Sequence, residues 1–125
     1  GNCFGHPHWF ICDWRVLEKA IYRNDIPGYQ QAENEMVEYL VKGLYAVNRV
    51  WQESRRRLRF HSREFSVLPE NFLNRLEAMI LRKGPFQNLE SCHWELRSLF
   101  HDLCLLANNR YPEWHLSEDW LVEPE

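Results

Sequence analysis

The sequence predicts an all-α protein with four main helices in an antiparallel bundle around one long amphipathic helix. Four segments show the apolar periodicity of helices, no proline interrupts the two longest, and turn residues separate them. With 125 residues and an apolar share of 45%, the chain is long enough for one hydrophobic core. We therefore expect a single domain over 1–125, with an N-terminal arm at 1–12 and an acidic, aromatic tail at 110–125.

The central element is expected to be one helix from Tyr29 to about Arg63. On a helix with 3.6 residues per turn, its apolar side chains fall within one narrow arc. They are Met36, Val37, Leu40, Leu44, Val47, Trp51 and Leu58. Gly43 lies on the same side, where the missing side chain lets another helix approach closely.

Three further helices are expected, over about 14–24, 70–82 and 86–108. Asp13 is a suitable N-cap for the first of them. The last has the clearest apolar stripe, with leucines that alternate by three and four residues. Its opposite side is not wholly polar, which predicts a contact surface on this helix. The surface consists of Trp94, His101 and Leu105.

Aromatic residues make up 14% of the chain and include six tryptophans, so we expect some rings to lie at a surface that meets a partner. The tail contributes Trp114 and Trp120 to this set. A protein partner or a homodimer is the expected occupant. Because the net charge is -3, no global field draws the protein to nucleic acid, and such binding must come from a local basic surface.

A row of arginines on the long helix is the predicted basic surface. It consists of Arg49, Arg56, Arg59 and Arg63, with Tyr45 and Phe60 beside them. On a continuous helix these side chains form a ridge about 20 Å long, suited to RNA phosphates or to an acidic groove of a protein. The alternative is a solvated face that pairs with Glu53 or with the acidic tail.

Two segments satisfy the pattern Arg-x4-His, namely Arg56 to His61 and Arg110 to His115. The pattern resembles that of helical nucleases of the HEPN type. The resemblance implies that histidine moves the proton of the RNA 2′-hydroxyl while arginine holds the phosphate. On a continuous helix, however, Arg56 and His61 point about 140° apart, which disfavours a shared site.

Zinc is a further candidate ligand, because two groups of residues carry the donor atoms that it prefers. The first group is Cys3, His6, His8 and Cys12, and the second is His101 and Cys104. The alternative is that the cysteines are reduced thiols and that no cofactor is bound. Disulfides are not expected, since there is no secretory signal and the core needs no such links.

The start Gly1-Asn2-Cys3 is compatible with N-myristoylation once an initiator methionine has been removed. A myristoylated Gly-Asn start, a small helical domain and a basic patch are an outline similar to that of retroviral matrix proteins. If Gly1 instead remains from tag removal, no membrane contact is expected. No apolar run approaches the roughly 18 residues of a membrane span, and we expect an intracellular protein, cytoplasmic or nuclear.

The sequence thus predicts a non-enzymatic interaction or adaptor module, of a viral or host-directed effector type. It would bind another macromolecule through exposed aromatic rings and the arginine ridge. The alternative is an RNA-binding or RNA-cleaving helical protein that uses Arg56 and His61. There is no glycine-rich phosphate loop and no nucleophile elbow, which excludes the commonest nucleotide-hydrolysing and esterase sites.

Overall fold

The computed structural model describes residues 13–52 and 54–117, and all regular structure in that part of the chain is helical. The helices are α1 (Trp14–Tyr22), α2 (Ile26–Val47), α3 (Leu58–Ser62), α4 (Phe72–Ile80) and α5 (Leu89–Arg110). The all-α prediction is confirmed. None of the helices described is both long and apolar enough to cross a membrane. The predicted arm at 1–12 lies outside the described residues.

Three helices begin with an acidic or amide side chain that accepts a hydrogen bond from the first turn. Asp13 accepts from the Arg15 N–H at 3.2 Å, as predicted from the sequence. Asp25 accepts from the Gly28 N–H at 3.0 Å. A Cβ on Gly28 would lie 2.2 Å from the Asp25 carboxylate, so a larger residue there would displace this cap. At the start of α5, the Asn88 side chain accepts from the Ser91 N–H at 2.8 Å.

Three helices end in a Schellman turn, in which one residue takes a left-handed conformation and the next N–H bonds to a carbonyl five residues back. The left-handed residues are Asn24, Arg49 and Arg82, with φ of 53°, 60° and 56°. At the end of α2 the Val50 N–H donates to the Tyr45 carbonyl at 3.0 Å. Glycine or asparagine is usual at this position, so the two arginines are unexpected.

The prediction of one helix from Tyr29 to Arg63 is wrong, because α2 ends at Val47 and residues 48–52 and 54–57 are not helical. The side chain of Asn48 accounts for this end. Its Nδ2 donates to the carbonyls of Leu44 at 2.8 Å and Val67 at 2.7 Å, and its Oδ1 accepts from the Val67 N–H at 2.8 Å. The chain is thereby held against residue 67 and leaves the helix axis.

Consequently the apolar arc predicted for the long helix is divided between two helices. The arc from Met36 to Val47 is buried on α2, and Gly43 is buried with it. Leu58 is buried on α3. Trp51, which was expected in the same arc, is instead 70% exposed.

The core lies between α2 and α5, the two longest helices. α2 contacts α1 and α5, and α5 also contacts α4. In the leucine stripe predicted on α5, Leu96, Leu99 and Leu103 are fully buried, whereas Leu89 and Leu106 near its ends are partly buried. From α1, the Trp14 ring meets the Phe100 ring edge to face, with 5.3 Å between centroids.

The first half of the predicted tail is packed on the helices. The Asn108 side chain exchanges two hydrogen bonds with the backbone of Leu116, at 2.8 and 2.7 Å, and Leu116 is buried. The Tyr111 hydroxyl donates to the Val47 carbonyl at 3.0 Å, and Trp114 stacks on the Tyr111 ring. Trp114 is only 8% exposed, so it contributes little to a contact surface.

A bidentate ion pair ties the end of α4 to α2. The Arg82 guanidinium donates to both carboxylate oxygens of Glu33, at 2.9 and 3.2 Å, and to Cys92 Sγ at 3.0 Å. Glu33 is buried, and burial raises the pKa of the Cys92 thiol. The left-handed backbone of Arg82 therefore serves a contact among α2, α4 and α5.

His93 on α5 is a buried titratable group in the core. It is 4% exposed, lies between the rings of Trp14 and Trp94, and its Nε2 has no hydrogen-bond partner among the described residues. Burial lowers its pKa, and the Arg97 charge lowers it further. The charges of Glu18 and Glu90 raise the pKa of His93, but burial and Arg97 outweigh them.

We expect Asn48→Ala to lower the free energy of unfolding by roughly 1 to 3 kcal/mol, because both backbone groups of Val67 lose their partner. Urea unfolding followed by circular dichroism measures this. Asn109→Ala is the matched control, since Asn109 is exposed on α5. Equal stability of the two variants would contradict the role given to Asn48.

We expect acid to destabilise the protein through His93. Its folded pKa lies below the unfolded value of about 6.5, so the unfolded chain binds the proton more readily. The free energy of unfolding should therefore fall as the pH drops below about 6.5. His93→Phe should flatten this part of the profile, whereas the exposed control His101→Gln should retain it. Parallel profiles for wild type and His93→Phe would show that His93 is not the group responsible.

Candidate functional site

An open groove of about 500 Å³ lies where the segment after α2 meets α3. Its lining contains two arginines, a histidine and a tryptophan. The lining residues are Val50, Trp51, Ser54, Arg56, Arg57 and His61, and we call this site the basic groove. It is the candidate site because it brings together residues of both functional alternatives drawn from the sequence.

A left-handed residue at the start of α3 produces this arrangement. Arg57 has φ of 62° and precedes the helix without a side-chain cap. The preceding Arg56 N–H donates to Ser54 Oγ at 3.2 Å. Because the chain turns here, Arg56 and His61 line one groove. The expected separation of about 140° applied to a continuous helix and is not realised.

The His61 ring is held from the core side by Tyr45. The Tyr45 hydroxyl and His61 Nδ1 are 2.8 Å apart, and Tyr45 is 1% exposed. Burial raises the pKa of Tyr45, so the phenol keeps its proton at neutral pH. The bond runs in either direction, depending on which histidine nitrogen carries hydrogen. In both cases the bond occupies Nδ1, and Nε2 is the ring nitrogen of His61 that remains for a ligand in the groove.

Aromatic rings lie beside the charged groups of the groove. Trp51 is 70% exposed and Phe60, on α3, is 52% exposed. The Arg57 guanidinium lies 4.5 Å from the Phe60 ring centre, and the Arg63 guanidinium lies 5.8 Å from it. These cation–π contacts hold the two guanidinium groups near the groove without neutralising them.

Arg56 and Arg57 of the groove, and the neighbouring Arg63, differ from most other described arginines in their ionic partners. Most of the others pair with carboxylates, as in Arg15–Asp13, Arg55–Glu38, Arg59–Glu77, Arg75–Glu95, Arg75–Asp102 and Arg82–Glu33. Within the described ranges, no carboxylate lies within 4.0 Å of Arg56, Arg57 or Arg63. The charge of these three residues is therefore available to an anionic ligand.

The straight ridge predicted for the arginine row is not formed, because its members belong to different elements. Tyr45 lies in the core. Arg49 donates from Nε to the Tyr111 hydroxyl at 3.2 Å, and Arg59 pairs with Glu77 at 2.8 Å. Sequence reasoning missed Arg57, since heptad spacing along one helix excludes it. The clustered arginines at 55–57 were the only signal that pointed to it.

The predicted surface on α5 is exposed at all three of its residues. Trp94 is 61% exposed and Leu105 56% exposed, and His101 is exposed as well. The Arg97 guanidinium lies 5.5 Å from the Trp94 ring centre. Trp120, the remaining aromatic residue of the predicted contact set, lies outside the described residues.

The first predicted zinc group, at Cys3, His6, His8 and Cys12, also falls outside the described residues. Of the second group, His101 is exposed whereas Cys104 is 2% exposed. The part of the chain that the structure describes contains no group of three or more histidine, cysteine, aspartate or glutamate residues able to hold a metal ion.

Comparison with protein-family models, with curated proteins and with solved structures found no match to this chain.

Proposed function

We propose that this protein is a non-enzymatic helical interaction module that binds a negatively charged region of another macromolecule in the basic groove. One observation carries the proposal. Arg56 and Arg57 line the groove together with the exposed Trp51, and Arg63 lies near them against the Phe60 ring. None of the three arginines has a carboxylate partner among the described residues. Guanidinium groups bind carboxylates and phosphates through paired hydrogen bonds, which provide affinity and orientation together.

The aromatic side chains near the arginines favour a binding site over a cluster of charges that only contacts solvent. Tryptophan and arginine are enriched among the residues that contribute most to interface affinity. Trp51 supplies a large exposed ring next to Arg56 and Arg57. Because the net charge of the chain is -3, the attraction is local and acts within a Debye length of about 8 Å.

The scaffold is part of the same proposal. We infer a single domain in which the four longer helices run antiparallel, with α2 between α1 and α5. The contacts of α2 with both helices support this arrangement. Such a frame holds the groove in one geometry, which lowers the entropic cost of binding. The proposed role is that of an intracellular adaptor of the viral or host-directed effector type.

We expect a heparin matrix to retain the wild-type protein. The double variant Arg56→Gln with Arg57→Gln should elute at lower salt than wild type, because it removes two unpaired charges from the groove. The matched control combines Arg15→Gln with Arg23→Gln, which removes the same charge from α1 and its C-cap. Salt-gradient elution measures the difference. Identical elution of the two double variants would contradict binding in the groove.

A second candidate, RNA cleavage, is favoured by the shared groove of Arg56 and His61. When Nδ1–H of His61 donates to the Tyr45 oxygen, the Nε2 lone pair is available to take the proton of a 2′-hydroxyl. The 2′-oxygen would attack the adjacent phosphorus and the bond to the 5′-oxygen would break. The leaving oxygen would take a proton from water, and Arg56 would hold the phosphate.

Cleavage of a mixed RNA pool by the purified protein tests this candidate. We expect the activity to survive a chelator, to disappear in His61→Ala and to persist in His101→Ala, since His101 lies on α5. If wild type cleaves no more than a buffer blank, the second candidate is wrong and the interaction module is unaffected.

A further inference from the structure

We propose that the ligand of the basic groove is a nucleotide unit, with its phosphate on Arg56, Arg57 and His61 and its base stacked on Trp51. Such a unit is a planar heterocycle next to a phosphate. Either a free nucleotide or single-stranded RNA would supply it. This inference rests on the proposed function and specifies the ligand of the same site.

The size of the groove fits such a unit. Its volume of about 500 Å³ falls in the range of roughly 300 to 1,000 Å³ that is usual for small-molecule sites. A nucleotide unit is a ligand of this size class, and its base and phosphate match the aromatic and basic side chains of the lining.

Three side chains of the groove lining can donate to a phosphate. Arg56 and Arg57 are consecutive, and the left-handed backbone of Arg57 brings both into the lining. If the Tyr45 O–H donates to His61 Nδ1, then Nε2 carries hydrogen and donates to a phosphate oxygen. Burial keeps Tyr45 protonated and thus able to donate. Binding and cleavage therefore require opposite directions of the same hydrogen bond.

Trp51 is the ring best placed to stack on a base. It lines the groove and is 70% exposed. Phe60 is less suitable, because Arg57 and Arg63 already lie against its ring. Every base has a flat aromatic face, so stacking on Trp51 would tolerate different sequences. An acidic peptide would satisfy the arginines but would leave this ring unused.

A neighbouring basic surface favours a strand over a free nucleotide. Arg63 lies at the C-terminus of α3 and lines a second groove of about 370 Å³ together with Arg59 and Asn71. A phosphate next to the bound nucleotide would meet Arg63 there. A strand therefore engages about three arginines, whereas a free nucleotide engages two.

Fluorescence anisotropy with the purified full chain tests the inference. The probes are a labelled single-stranded RNA of about ten nucleotides, adenosine monophosphate as competitor, and a labelled acidic peptide of the same charge. For RNA we expect log K to fall with log salt at a slope of about -1.4, from two phosphate contacts at roughly 0.7 each. Trp51→Ala and the double variant Arg56→Gln with Arg57→Gln should each weaken binding about tenfold.

Arg15→Gln with Arg23→Gln is again the charge-matched control and should leave RNA affinity unchanged. Thermal unfolding of each variant verifies that the fold is retained, which we expect because Trp51, Arg56 and Arg57 are exposed. Binding of the monophosphate as tight as that of RNA would support the inference with the free nucleotide as its source. Tighter binding of RNA would identify the strand.

The remaining outcomes overturn the inference in distinguishable ways. If the acidic peptide binds and RNA does not, the nucleotide inference is wrong while the interaction module stands. If RNA binds but Trp51→Ala has no effect, the groove holds phosphate without a base and the inference is again wrong. If none of the probes binds, both the inference and the proposed function are wrong.

Discussion

The hydrogen bonds between the Asn48 side chain and the backbone of Val67 are the constraint on which the rest of the structure depends. A further bond from Asn48 Nδ2 to the Leu44 carbonyl caps the last turn of α2, and the bonds to Val67 replace the continuation of the helix with a cross-link to residue 67. The chain between Asn48 and α3 is therefore available to form a groove. An amide side chain has the donor and the acceptor for this double contact, and Asn108 makes the same contact with Leu116 at the end of α5.

The arginines of this protein divide into two groups with different physical roles. Arg82 and Arg75 join helices through buried or half-buried carboxylates, and removing either partner would leave a poorly solvated charge. Arg57 and Arg63 contact the Phe60 ring, Arg56 lies in the groove lining, and no described carboxylate pairs with any of the three. Charge at the second group contributes little to stability and remains available for binding. A count of basic residues along the sequence hides this difference.

The sequence predicted the parts of the fold that depend on local signals. Asp13 marked the start of α1, and the predicted stripe residues from Met36 to Val47 on α2 and from Leu96 to Leu103 on α5 are buried as expected. The end of α2 was missed because neither glycine nor proline marks it, and Arg49 occupies the left-handed position that usually favours glycine. The double contact of Asn48 spans 19 residues and has no local pattern. The sequence therefore does not predict the groove, although its Arg-x4-His pattern identifies Arg56 and His61 as candidate residues.

The conformation of residues 48–57 tests the account most directly, since both proposed functions depend on where α2 ends. Backbone chemical shifts measured by nuclear magnetic resonance report helix residue by residue. We predict helical 13Cα shifts over Ile26–Val47, a change to non-helical shifts after Asn48, and left-handed values at Arg49 and Arg57. Uninterrupted helical shifts from Val47 through Arg63 would contradict the account, because Arg56 and His61 would then point away from each other.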